Sequence, residues 1–220
     1  MSAVSADVDF WASLSEPWRV CAELAWEAYC AGSLPIASVV VNEEGRVVSS
    51  GRNRIFEPPS PPYLAGHRLA HAEMNALVSF DYAQHNPYTS VLYTSTEPCP
   101  LCMGAIRMAG VRTFHFASRD PWAGCSAMTE QVPYLKQKNL RGVTPQSAVF
   151  EDALIALQVE THLRRGTLQA NLAFFGVYHR DFPTGTAVGE ELYSTKRLEA
   201  LAEKRAGAEE VFGVLHDLVR

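Results

Sequence analysis

The stretch SVLYTSTEPCPLCMGAIRMAGVRTFHFA, residues 90–117, contains the order of elements that decides the fold. Ser90 to Thr94 predicts a strand, Leu101 to Ala109 has helical periodicity, and Val111 to Ala117 predicts a second strand. A helix between two strands acts as the crossover that returns the chain to the same sheet, so the two strands should run parallel. The stretch therefore predicts a layered α/β domain.

The chain before this stretch adds strands and helices to the same domain. Residues 15–32 have helical spacing of apolar side chains, and the runs 36–41 and 46–51 predict a β-hairpin with a tight turn between them. Four prolines in residues 56–66 favour an extended loop without regular structure. Residues 69–80 then show helical periodicity again. The sheet is thus predicted to open antiparallel.

The chain after this stretch is less regular. Residues 131–138 and 152–165 predict helices, and residues 143–150 suggest a fifth strand between them. A Gly/Pro/Thr-rich break is predicted at residues 181–189, followed by further helices.

We accordingly expect two parts in this chain. Residues 1–166 are predicted to form the α/β domain, and residues 167–220 a helical extension docked on it.

Composition and charge limit the class of protein. Of the 220 residues, 47% are hydrophobic and 20% charged, which is typical of an ordinary globular protein. The formal net charge of −5 opposes binding of nucleic acid over the whole surface, so such a partner would need a local basic patch. No apolar run approaches the roughly 18 residues of a membrane span. With no secretion signal apparent, we expect a cytoplasmic protein with reduced cysteines.

One histidine and two cysteines stand at positions that suit zinc. Cys99 and Cys102, three residues apart at a helix start, can reach one ion, and the helix N-terminus favours their thiolates. Together with His71 they would give Zn²⁺ three ligands and leave a fourth position for water, as in catalytic sites. A structural zinc site would instead need a fourth protein ligand. His67 lies four residues before His71, so the two histidines could instead form a metal-binding pair.

Glu73 is predicted to carry protons if water at the zinc site attacks a substrate. Attack of water on an amino-substituted aromatic ring requires a proton at the ring nitrogen and another at the departing ammonia. In an ideal helix, residues two apart point about 200° away from each other. His71 and Glu73 can therefore face one ion only if the helix begins at this turn.

The pattern H-x-E followed by P-C-x-x-C is the signature of zinc deaminases. It lies in the strings HAEMNAL at 71–77 and TEPCPLCMGAI at 96–106, and a third string, FASRDPWAG, follows at 116–124. On these residues the chain resembles the cytidine-deaminase-like superfamily, on its guanine deaminase and tRNA adenosine deaminase branch. The resemblance covers roughly Leu34 to Arg165.

This resemblance implies a fold, a cofactor and an assembly. The fold is a three-layer α/β/α sandwich around a mixed five-stranded sheet, to which this chain adds the C-terminal helical extension. The implied cofactor is a catalytic Zn²⁺ held by His71, Cys99 and Cys102, with Glu73 as the proton shuttle. The implied minimum assembly is a homodimer.

Five residues are predicted to bind the substrate. Asn53 and Asp120 fall on family positions that contact it, and Ala72, His67 and Trp122 are predicted to lie at the same pocket. Simpler roles are open to several of them. Asn53 could end a strand in a turn, Asp120 could start the turn at Pro121, and Trp122 could belong to the core or to a dimer interface.

The sequence favours an enzyme that replaces an exocyclic amino group with oxygen and releases ammonia. The predicted substrate is a small molecule, a nucleobase, nucleoside or related heterocycle, because the acidic charge disfavours a polymer. A purine-type, guanine-like ring is favoured because Asp120 could accept hydrogen bonds from its ring N–H or amino groups. One alternative is adenosine-to-inosine conversion in tRNA, for which five arginines could form a basic patch: Arg52, Arg54, Arg68, Arg164 and Arg165. A second alternative is a non-catalytic partner subunit that keeps the fold.

Overall fold

A five-stranded mixed sheet organises the computed structural model, which describes residues 9–166 and 172–220. Its strands are β1 (Ala37–Val41), β2 (Val47–Arg52), β3 (Val91–Thr96), β4 (Thr113–Ser118) and β5 (Arg141–Val143), in the order β2-β1-β3-β4-β5. Strand β1 pairs antiparallel with both β2 and β3, whereas β4 pairs parallel with β3 and β5. The predicted hairpin and the predicted parallel strands are both confirmed.

Eleven helices lie in the described part of the chain. In chain order they are α1 (Phe10–Ser13), α2 (Glu16–Cys30), α3 (Ala72–Val78), α4 (Pro100–Met108), α5 (Met128–Gln131), α6 (Pro133–Gln137), α7 (Ala148–Arg164), α8 (Leu172–Asp181), α9 (Pro183–Thr195), α10 (Arg197–Glu203) and α11 (Ala208–Val219). No helix among the described residues is both long and apolar enough to cross a membrane.

Helices cover both faces of the sheet. Successive side chains of a strand point to opposite faces, so neighbouring residues of β1 pack against different helices. Every residue of β1 is buried. Val39 packs in a cluster with Cys21 and Ala25 of α2, whereas Val40 packs in a cluster with Ala76 of α3 and residues of α4. The structure is therefore the predicted three-layer α/β/α sandwich.

The C-terminal helices pack on α7. One hydrophobic cluster joins Trp26 of α2 and Leu157 of α7 to Leu192 of α9 and Phe212 of α11. Gly185 allows close packing of α9 on α7, because a Cβ at this position would lie 2.7 Å from the carbonyl oxygen of Asp152. The division of the chain at residue 166 stays a prediction.

The prediction of a strand over residues 143–150 is wrong. Strand β5 ends at Val143, and α7 begins at Ala148. Pro145 has no N–H to donate to a neighbouring strand, and the Ser147 hydroxyl accepts a hydrogen bond from Phe150 N at 3.2 Å as a helix N-cap. These two residues end the extended segment and start the helix.

Two other predicted boundaries are corrected. The break predicted at residues 181–189 is only Phe182, which separates α8 from α9. Pro183 is tolerated because it begins α9, where a helical N–H would have no partner. The single helix predicted over 131–138 is two short helices, α5 and α6, which Val132 separates in an extended conformation.

Candidate active site

Three side chains with metal-binding atoms converge at the N-terminal ends of two helices. His71 is the N-cap of α3, Cys99 is the N-cap of α4, and Cys102 lies in the first turn of α4. The two Sγ atoms are 3.7 Å apart, and His71 Nδ1 lies 3.6 Å from Cys99 Sγ and 3.4 Å from Cys102 Sγ. The three predicted ligands thus meet at one point.

These separations fit a tetrahedral zinc ion. With Zn–S distances of about 2.3 Å and Zn–N distances of about 2.1 Å, neighbouring ligand atoms should lie about 3.6–3.8 Å apart. Within residues 9–166 and 172–220, no further His, Cys, Asp or Glu joins the cluster. The rival ligand His67 is outside it. The donor set is therefore that of an open zinc site with three protein ligands.

The two thiols influence each other strongly. A hydrogen bond from Cys102 lowers the pKa of Cys99 to about 4, and the same bond raises the pKa of Cys102 above its ordinary value. The hydrogen bond to Cys99 is also the main cause that raises the pKa of His71. Cys99 is thus held as a thiolate, the form that binds metal ions.

Glu73 lies beside this cluster and is only 4% exposed. Helix α3 begins at Ala72, and His71 has an extended backbone with φ −75° and ψ 158°. Because His71 lies outside the helix, the expected 200° separation does not apply, and His71 and Glu73 line the same cavity. Burial raises the pKa of the Glu73 carboxyl, which favours its protonated form.

A cavity of about 190 Å³ opens on two of the three ligand residues, His71 and Cys99. His71, Glu73 and Cys99 form one end. The remaining lining residues are Leu34, Ile36, Asn53, Ile55, Thr96, Glu97, Asp120, Trp122, Ala123, Gln158, His162, Phe174 and Tyr178. Three of the five predicted substrate residues line this cavity, namely Asn53, Asp120 and Trp122.

Asn53 combines a turn role with a place in the cavity. Its side-chain oxygen accepts hydrogen bonds from Ser33 Oγ at 2.8 Å and from Ile55 N at 3.1 Å. The backbone N–H of Ile55 can only donate, so it fixes the orientation of the carboxamide. In the described part of the chain no group pairs with the amide nitrogen, which leaves Asn53 as a hydrogen-bond donor.

Asp120 likewise has a structural role. One carboxylate oxygen accepts hydrogen bonds from Trp122 N at 2.9 Å and Ala123 N at 3.0 Å, which closes the turn after Asp120. Burial raises the pKa of its carboxyl. Glu97, which the sequence analysis missed, supports this loop by accepting hydrogen bonds from Ser126 and from Asp120 N.

The other predicted substrate residues lie at different depths. Trp122 is 50% exposed, and its ring packs edge-on against Phe174 with centroids 5.3 Å apart. Ala72 is buried beneath the cavity and is not among its lining residues. His67 is exposed and outside the lining, where its Nδ1 accepts a hydrogen bond from Leu69 N. Substrate contact by these two residues stays a prediction.

One wall of the cavity was not predicted. Gln158 and His162 come from α7, and Phe174 and Tyr178 come from α8. Burial lowers the pKa of His162 to about 4, so its imidazole is neutral near neutral pH. Gln158 donates a hydrogen bond to Thr96 Oγ1 at 2.8 Å. Helix α8 therefore contributes two residues to the cavity, Phe174 and Tyr178, whereas the other lining residues lie between residues 34 and 162.

The family model for the cytidine and deoxycytidylate deaminase zinc-binding region matches residues 13–118. These residues include the three convergent ligands and Glu73.

Several curated proteins are similar to part of this chain. A probable cytosine deaminase of Schizosaccharomyces pombe is 31% identical over 44% of this chain and 56% of that protein. The guanine deaminase of Bacillus subtilis is 32% identical over 38% of this chain and 50% of that protein. The tRNA-specific adenosine deaminase of B. subtilis is 34% identical over 43% of this chain and 55% of that protein. The chain thus spans about half the length of these relatives.

A solved structure has the same fold. It is a mutant protein in complex with 8-azaguanine, and it is 23% identical to this chain with a TM-score of 0.51. The superposition covers 67% of this chain and 84% of that chain.

Proposed function

Because residues 13–118 belong to the cytidine and deoxycytidylate deaminase zinc-binding family, we propose that this chain is a hydrolytic deaminase of a small heterocycle. The reaction adds water to an amino-bearing ring carbon, breaks the C–N bond and yields a carbonyl compound and ammonia. The proposed substrate is a nucleobase, nucleoside or related heterocycle of the purine type, with a guanine-like base favoured. The observation that carries the proposal is that the three-ligand cluster lies at one end of a cavity that Glu73 also lines.

His71, Cys99 and Cys102 would hold the zinc ion in this proposal. The chemistry that zinc supplies to such a site is activation of water as a nucleophile at neutral pH. Glu73 would take a proton from the water and pass it to a ring nitrogen, and it would then take the remaining hydroxyl proton of the adduct and deliver it to the departing amino group as the carbonyl forms. Its burial suits this task, because a raised pKa lets the carboxyl both accept and release protons.

Asn53 and Asp120 are the proposed groups that orient the ring. The Asn53 amide nitrogen can donate a hydrogen bond, and the Asp120 carboxylate can accept one from a ring N–H or an amino group. A guanine-like edge offers both an acceptor and such donors.

Two observations favour a small substrate over tRNA. The cavity, at about 190 Å³, is smaller than the roughly 300–1,000 Å³ of drug-sized ligand sites, and α8 forms one of its walls. The arginines of the suggested basic patch are also largely engaged. Arg52 and Arg54 share Glu57, and Arg164 lies 3.8 Å from Glu160. Arginines that are already paired offer less net charge to a phosphate backbone.

An ammonia-release assay tests this proposal. The purified protein is incubated with guanine, adenosine, cytosine and a tRNA anticodon stem-loop at several salt concentrations. We expect the highest kcat/KM on a free base or nucleoside, with little effect of salt. A stem-loop that is the best substrate, with activity that falls steeply as salt rises, would establish the tRNA alternative instead. No ammonia from any compound would favour the non-catalytic partner subunit.

We also propose that the protein is a homodimer. Helix α4 leaves two large apolar side chains exposed, Leu101 at 36% and Met108 at 77%. Contact with a second copy would remove them from water. Light scattering after size-exclusion chromatography tests this, and a monomer mass at micromolar concentration would contradict it.

A further inference from the structure

We infer that Tyr178 is a substrate-binding residue, whose hydroxyl group donates a hydrogen bond to an acceptor atom of the heterocycle. The acceptor would be an exocyclic oxygen or a ring nitrogen away from the reacting carbon. The inference rests on the proposed function, because it names the group that recognises the substrate in the same cavity. Tyr178 lies in α8, outside the residues that the family model matches.

The first observation is a cavity-lining tyrosine whose hydroxyl group has no hydrogen-bond partner among the described residues. Tyr178 is 2% exposed and lines the cavity. Among residues 9–166 and 172–220, no group forms a hydrogen bond with its hydroxyl, although buried tyrosines usually have such a partner. A ligand in the cavity would supply the missing partner.

The second observation is that the ring is held in place. Tyr178 packs in a cluster with Ile155 and Val159 of α7 and with Phe182. The Phe174 ring lies against it with centroids 5.0 Å apart. Because packing on these sides fixes the ring, the hydroxyl keeps one position and needs little ordering when a ligand binds.

The third observation concerns the charge near the hydroxyl. Burial, with a further contribution from the negative charge of Asp120, raises the pKa of Tyr178 well above its ordinary value. The phenol is therefore neutral and able to donate at any physiological pH. Tyr178 as donor and Asp120 as acceptor together match an uncharged ring that carries a carbonyl oxygen or ring nitrogen together with N–H groups. A phosphate group would be repelled by Asp120.

The variant Tyr178→Phe tests this inference, because it removes the hydroxyl and keeps the packed ring. We expect KM for the best base of the panel to rise about tenfold, which corresponds to one neutral hydrogen bond. We expect kcat within about threefold of wild type, since Tyr178 is not assigned to the chemical step. Zinc content and the melting temperature without ligand should both be unchanged, because the hydroxyl forms no hydrogen bond with the described residues that the variant could lose.

Tyr193→Phe is the matched control. Tyr193 lies in α9 of the same extension, is 37% exposed and does not line the cavity. Its variant should leave KM, kcat and ligand-induced thermal shifts at wild-type values. A general effect of removing a tyrosine hydroxyl from the extension would appear in both variants.

Thermal shifts with the same bases separate this inference from the proposed function. If wild type deaminates or binds a base and Tyr178→Phe does so with KM and thermal shift within twofold, the inference is overturned and the proposed function stands. If wild type binds a base without releasing ammonia, the proposed function fails, and a smaller thermal shift in Tyr178→Phe still supports the hydrogen bond. If wild type neither binds nor deaminates any base, both are overturned.

Discussion

The backbone of Gly51 lies so close to Ala76 that a Cβ atom at position 51 would be 2.3 Å from the Ala76 nitrogen. The same Cβ would lie 2.5 Å from the carbonyl oxygen of Ala72. Strand β2 and helix α3 therefore touch backbone to backbone. Since the first turn of α3 carries Glu73, this contact fixes the position of Glu73 relative to the sheet.

Gly51→Ala should destabilise the protein and weaken metal binding. The added methyl group must push α3 away from β2, because backbone atoms cannot yield as a side-chain end does. We expect the free energy of unfolding in urea to fall by about 3 kcal/mol, as in strongly overpacked cores. Gly104→Ala is the control, because a Cβ at position 104 in α4 meets no atom within 4 Å. That variant should gain up to about 1 kcal/mol from helix propensity. Equal stability of the two variants would contradict the argument.

Cys99→Ala and Cys102→Ala should each lose most of the bound zinc. Three protein ligands are needed for tight binding, and wild type should hold about one zinc ion per chain. Elemental analysis after dialysis measures the content. Cys30→Ala is the control, since Cys30 is an exposed thiol of α2 far from the cluster in sequence and not part of it. Full zinc occupancy in either ligand variant would show that the assignment is wrong.

Glu73→Gln should keep zinc and fold but lose turnover. The amide has nearly the same shape as the carboxyl group and cannot carry the proton. We expect kcat to fall by about 100-fold to 10,000-fold, the range that general acid–base catalysis contributes. Steady-state ammonia release gives kcat, and circular dichroism with zinc analysis confirms that the variant is folded and loaded. Activity within tenfold of wild type would exclude the proton-carrying role.

The stability of the protein should fall as pH rises from about 4.5 to about 7, because of Glu160. This residue is fully buried in α7, where Tyr29 donates a hydrogen bond to it at 3.1 Å, and burial raises its pKa to about 7. In that window the unfolded chain has released the Glu160 proton while the folded chain still holds it, so stability declines with rising pH.

Urea unfolding at pH 5 and pH 8 measures this effect. The decline that Glu160 contributes should be about 1–3 kcal/mol, since each pKa unit corresponds to about 1.4 kcal/mol. Glu160→Gln should lose that part of the decline, because its side chain does not titrate. Glu203→Gln, at an exposed position of α10, should keep the wild-type difference. A Glu160→Gln protein with the wild-type pH dependence would refute the assignment.

Local sequence patterns predicted most of the sheet and the whole ligand cluster. The hairpin and the strand–helix–strand unit of residues 90–117 were placed within about two residues, because their apolar periodicity is strong and their ends carry turn residues. The spacing of Cys99 and Cys102 at a helix start likewise fixed their common position. The prediction of a strand over residues 143–150 failed because it gave more weight to the apolar content of this segment than to Pro145 and Ser147.

The α7–α8 wall of the cavity could not be predicted in this way. Tyr178 and His162 stand in helical segments where an aromatic or a histidine is usual, and no spacing relates them to His71 or Cys99. Only the packing of α8 against α7 brings them to the cavity. The one available signal was the presence of a helical extension after the deaminase motifs, which indicated that something docks but not which residues face the substrate.

The order of the site's parts along the chain has a consequence for how the metal centre is assembled. The ribosome delivers residues from the N-terminus, so α3 and α4 with the metal ligands are made well before α8. We therefore expect the nascent chain to take up its ion while the ligands still face open solvent. Helix α8 would then close one wall of a site that already holds its metal ion. On this expectation, loading would depend on the zinc supply during translation, and enclosure would depend on the later synthesis of α8.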